Sequence, residues 1–158
     1  MHNFHAPQPE TGHMDGGTSL LLVGQGDGSF TPIWPHRSGL LVFGDAKGLA
    51  ATDLNDDGWV DFVATVNNGT LKAFVNRRDT TNRVLNVRLV GQGGNPTAVG
   101  ARVTVQLDDG PTQTAEVHAG GSYLSQSSPV LVFGLGKSPQ AKTITVRWPD
   151  GKTTTTQA

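Results

Sequence analysis

Apolar and polar side chains alternate with a period of two along much of this chain, and no segment keeps helical spacing for three turns. Residues 101–107 show the pattern most cleanly. Ala101, Val103, Val105 and Leu107 fall on one face, and Arg102, Thr104 and Gln106 on the other. Similar signals predict strands over 19–23, 29–31, 59–66, 71–75, 84–89, 112–118, 129–133 and 142–148. Turn chemistry separates them: Gly24-Gln25-Gly26-Asp27-Gly28, Asn67-Asn68-Gly69, Asp108-Asp109-Gly110 and Asp150-Gly151. Strands recurring at this spacing predict an all-β chain of sandwich or barrel type. Residues 1–18 have no periodicity and read as an irregular lead-in whose His2, His5 and His13 are solvated.

Composition sharpens this picture. The 158 residues include 21 glycines and 9 prolines, which favour turns, with 16 valines and 18 threonines, which favour strands. There is no cysteine, so disulfide scaffolds, zinc–cysteine sites and thiol catalysis are excluded. A net charge of −1 argues against a nucleic-acid surface. No apolar run has the ~18 residues of a membrane span. The first residues lack the form of a signal peptide, so a cytoplasmic protein or a piece of a longer precursor is expected. Residues 1–78 carry five basic and eight acidic side chains, and residues 79–158 carry seven and five. A module boundary is therefore expected near residue 79, with a short link at 77–82.

One stretch carries distinctive chemistry. Asp53-Leu54-Asn55-Asp56-Asp57-Gly58-Trp59-Val60-Asp61 places side-chain oxygens at positions 1, 3, 5 and 9, with glycine at position 6. Calcium takes hard oxygen ligands on alternate residues around a sharp turn, and the Trp59 carbonyl and water would complete its shell. The glutamate at position 12 of an EF-hand is absent, Ala64 standing there. The alternative is an acidic hairpin turn that binds nothing. Other constellations are poor. His118 and Ser122 suggest a nucleophile pair only loosely, and the serines of 122–128 read as turn formers and backbone partners. Gly24-Gln25-Gly26-Asp27-Gly28 precedes no helix, so it is no phosphate cradle. Asn68-Gly69-Thr70 matches a glycosylation acceptor but reads first as a hairpin turn. Trp34, Trp59, Tyr123 and Trp148 are candidate sugar platforms, though a Trp closing a strand, such as Trp148, reads as core.

Residues 19–76, with the 53–61 loop, resemble the FG-GAP/VCBS repeats of integrin-type β-propellers. Residues 84–151 resemble the ASPIC/UnbV domain of the cartilage acidic protein-like family. The second likeness rests on Gly100-Ala101-Arg102-Val103, the segment from Gly120 to Ser128, Phe133-Gly134-Leu135-Gly136, and Val146-Arg147-Trp148-Pro149-Asp150-Gly151. These resemblances imply a partial propeller-like blade region in 1–78 (about one and a half blades) packed with a C-terminal antiparallel β-sandwich in 79–158. They imply Ca2+ on Asp53, Asn55, Asp57, the Trp59 carbonyl and Asp61, and no catalytic residue. They further imply a noncatalytic adhesion or matrix-type binding module, extracellular or periplasmic, at the C-terminal end of a larger exported protein. Its partner would be a protein or glycan, with no nucleic acid and no membrane insertion, and the chain would be a monomer. A carbohydrate-binding module and a hydrolase domain of unrecognised type are the alternatives. Seven apolar side chains, Leu20, Leu22, Val60, Phe62, Val63, Phe74 and Val75, exceed what one blade hides, so the blade is expected to fold down on the sandwich.

Overall fold

The computed structural model describes residues 17–108 and 110–157. The strands are β1 (Leu21–Gly24), β2 (Phe30–Ile33), β3 (Ala46–Thr52), β4 (Asp61–Val66), β5 (Lys72–Phe74) and β6 (Arg83–Val87). They continue with β7 (Arg102–Gln106), β8 (Gln113–Glu116), β9 (Leu131–Gly136), β10 (Thr143–Arg147) and β11 (Thr153–Gln157). One helical turn, α1 (Pro35–Ser38), interrupts them, with Pro at its first position and Gly39 in the left-handed conformation behind it. The described chain is otherwise all-β, in four antiparallel sheets: β1-β2, β3-β4-β5, β6-β9 and β11-β10-β7-β8. His2, His5 and His13 lie outside the described residues.

The alternating strand β7 builds the C-terminal core. Ala101, Val103 and Val105 are fully buried and Leu107 nearly so, while Arg102 points out to solvent. Val87, Phe133 and Leu135 from the β6-β9 sheet meet them, with Val146 from β10, so two sheets enclose one apolar layer. Trp148 packs at its edge and donates from Nε1 to Thr154 Oγ1 at 2.9 Å, as expected of a core Trp. Glycine closes the turns: Gly100 and Gly151 adopt positive φ of 84° and 85°.

The N-terminal half keeps a separate, smaller core of Val42, Ala46 and Ala64, with Leu49, Val66 and Phe74 against it. The two core clusters share no residue, and of the seven apolar side chains expected to pack on the sandwich, Val60, Phe62, Val63 and Phe74 are half-buried. Leu20, Leu22 and Val75 stay exposed, as do Phe30, Leu41 and Phe43. Hydrogen bonds tie the two halves together. β3 is an edge strand, and its outward backbone groups are taken up by a serine-rich segment. Ser125 Oγ accepts from Leu49 N at 3.1 Å and donates to Leu49 O at 2.7 Å. Ser127 Oγ accepts from Ala51 N at 3.0 Å, and Ser128 N donates to Ala51 O at 2.9 Å. The serines thus act as a surrogate strand. Gly48 permits the approach, since a Cβ there would sit 2.8 Å from Thr65 Oγ1 and 3.3 Å from the Leu124 carbonyl.

Candidate functional site

The acidic loop is the connection of the β3–β4 hairpin, in which Thr52 faces Asp61. Asp56 and Gly58 both take positive φ, 57° and 84°, which folds the loop tightly enough for its carboxylates to reach its own backbone. Asp53 Oδ1 accepts from Asp57 N at 3.1 Å, and its Oδ2 from Gly58 N at 2.7 Å. Asp57 Oδ1 accepts from Trp59 N at 2.9 Å, and its Oδ2 from Asn55 Nδ2 at 2.9 Å. The Arg78 guanidinium stands 3.2 Å from the same Oδ2. The Trp59 amide, above all, holds the Asp57 carboxyl below the usual carboxylate range, with help from Asn55 and Arg78.

Asp61 differs from the others. It is fully buried, and its two oxygens accept from Leu54 N at 2.9 Å and Asn76 N at 2.7 Å. No Lys or Arg pairs with it among the described residues. A buried carboxylate facing only neutral amides is costly, and a divalent ion would supply the missing charge. The loop also touches the sandwich, because Asn86 Nδ2 of β6 donates to the Gly58 carbonyl at 2.9 Å. It therefore sits at the meeting point of both halves and the link between them.

By chemistry, the predicted residues suit calcium: Asp53, Asn55, Asp57 and Asp61 supply hard oxygens, with the Trp59 carbonyl between them. They do not form a finished cage. Among the described residues, no three acidic or histidine side chains are grouped to hold a metal ion. The reason is visible in the hydrogen bonds, since each carboxylate is turned onto backbone amides. Asn55 presents its amide nitrogen inward, and Arg78 covers Asp57. Spacing gave no sign of Arg78, Asn76 or Asn86 at this loop, because each comes from another segment.

Beside the loop lies a cleft of about 650 Å³ between the two halves. Asp56 and Trp59 line one wall, and Arg88, Glu116, His118 and Ser122 line others. His118 Nδ1 lies 3.9 Å from Glu116 Oε1. His118 makes no hydrogen bond to Ser122 among the described residues, so a nucleophile–base pair is not assembled here. Trp34 and Tyr123 are exposed and lie outside the cleft.

Residues 91–158 match the family described as ASPIC and UnbV. Curated relatives include cartilage acidic protein 1 of Xenopus tropicalis, 31% identical over 112 residues. The proteins of the same name from Homo sapiens and Mus musculus are each 30% identical over 112 residues. Each of these matches covers 69% of this chain and 17% of the relative. The chain thus spans about a sixth of the relatives' length. Because 112 residues exceed the family match, the likeness extends N-terminal to residue 91, into the half that bears the loop.

Proposed function

We propose that this chain is a calcium-stapled, noncatalytic binding module of an exported adhesion- or matrix-type protein, with an FG-GAP/VCBS-type repeat preceding its ASPIC/UnbV domain. The observation that carries the reading is Asp61, a buried carboxylate that no Lys or Arg pairs among the described residues, at the end of a loop whose alternate residues bear oxygens. Ca2+ would be held by Asp53, Asn55, Asp57, the Trp59 carbonyl and Asp61. Its work there is electrostatic: it would neutralise the acidic loop and lock the junction where Asn86 and Arg78 meet it. The likeness to cartilage acidic protein 1 supports an extracellular setting, and the partner of such a module would be a protein or glycan.

Isothermal titration of Ca2+ into the 158-residue chain tests this. One ion should bind per chain, and Asp57→Ala, in the hairpin loop and outside both apolar cores, should abolish binding while the fold persists by circular dichroism. No heat from the wild-type chain at millimolar Ca2+ would overturn the reading.

A further inference from the structure

The C-terminal sheets carry two open edges that face each other. Among the described residues, β8 ends one sheet, and β9 is paired only on its β6 side. The two come together where Gln113 Nε2 donates to the Gly134 carbonyl at 2.6 Å. From there they part around the cleft, whose walls include Ala115, Glu116 and Val117 on one side and Val130, Leu131 and Val132 on the other. Among the described residues, no strand closes the seam.

The orientation of the backbone groups follows from the register. Val117 N donates to Ala101 O at 3.0 Å, and Val117 O accepts from Gly100 N at 2.8 Å, so Val117 points toward β7. Alternation then turns the N–H and C=O of Glu116 and Thr114 toward the seam. The Gly134 carbonyl faces the seam as well, because Gln113 reaches it from β8, and alternation carries Val132 with it. Exposed edges of this kind are templates for another strand.

We propose that this seam binds an extended polypeptide segment, which adds a strand between β8 and β9. Backbone hydrogen bonds would supply the affinity and alternate side chains the selectivity, the mode known as β-augmentation. Ala115 and Leu131, both half-buried, offer an apolar floor to alternate side chains of the incomer. Besides Asp53, which the proposed function gives to calcium, Asp56 and Glu116 line the cleft against one guanidinium, Arg88, and neither of these two carboxylates pairs with Lys or Arg among the described residues. The incoming strand therefore carries at least one basic side chain. The inference stands independently of calcium.

The test uses the full 158-residue chain and a capped hexapeptide alternating threonine and valine around one lysine, acetyl-TVKVTV-amide. Amide exchange measured by NMR should slow at least tenfold at Thr114, Glu116 and Val132 when the peptide saturates. A peptide N-methylated on alternate nitrogens should lose that protection. Glu116→Pro removes one outward N–H at an edge position that tolerates proline, and should weaken binding at least tenfold. Protection elsewhere, equal binding of the methylated peptide, or no protection at millimolar peptide would overturn the proposal. The methylated-peptide comparison leaves the protein unaltered, so it decides the matter even if Glu116→Pro unfolds.

Discussion

Replacing Ser125 by alanine tests whether the two halves are held by the surrogate strand. Its hydroxyl serves both backbone groups of Leu49, accepting at 3.1 Å and donating at 2.7 Å in a partly buried setting. Truncation removes two hydrogen bonds and leaves an N–H and a C=O with restricted access to water. Each bond contributes about 1 kcal/mol net, and an orphaned buried group costs about 1–3 kcal/mol. Partial exposure of Ser125 keeps the sum near the low end, so roughly 2 kcal/mol of destabilisation is expected. In a domain of this size that lowers Tm by about 4–8 °C. Calorimetry of Ser125→Ala should show this drop, and adding Ser127→Ala should broaden or split the transition as the halves uncouple. A Ser125→Ala chain melting within a degree of wild type would refute the junction argument.

Phe133→Ala in the sandwich core should cost about 3–5 kcal/mol by urea denaturation, since the residue is 2% exposed among nine other core residues and their neighbours. Arg78→Ala should raise calcium affinity severalfold by titration, because it frees Asp57 from the one cation paired with it among the described residues. Because the Asp57 carboxyl titrates lower when folded than when unfolded, its contribution is present above the unfolded value near ~3.9 and is lost as pH falls through the folded value. Denaturation curves from pH 7 to 2 should show that loss below about pH 4, and Asp57→Asn should flatten it. Arg102→Lys and Arg147→Lys, at facing positions on the exposed side of β7 and β10, should each shift stability by less than about 0.5 kcal/mol.

Most of the sheet was legible from period-two alternation. Residues 101–107 gave β7 with its buried face correctly assigned, and the Asn-Gly and Gly-rich turns marked their hairpins. The strands missed are those without alternation. β11 is four threonines and a glutamine, exposed throughout, and it exists because β10 offers it five register partners. β3 reads Ala-Lys-Gly-Leu-Ala-Ala-Thr, poor in strand formers, and is held by β4 on one edge and serines on the other. The serines were read rightly as backbone partners, but no local pattern shows that their partner lies 76 residues away. The acidic loop was visible because its ligands are contiguous. Its counter-charge Arg78 and anchor Asn86 were not, because both reach it from outside the loop.

Scanning calorimetry of the intact chain in calcium and in chelator tests the central claim most directly. A ligand bound only by the folded state adds RT ln(1 + [L]/Kd), about 2.7 kcal/mol at a hundredfold excess over Kd. The account predicts a Tm higher in calcium by about 5–10 °C, in a single transition because the loop bridges both halves, and no difference for Asp57→Ala. Superimposable wild-type scans in calcium and chelator would contradict it.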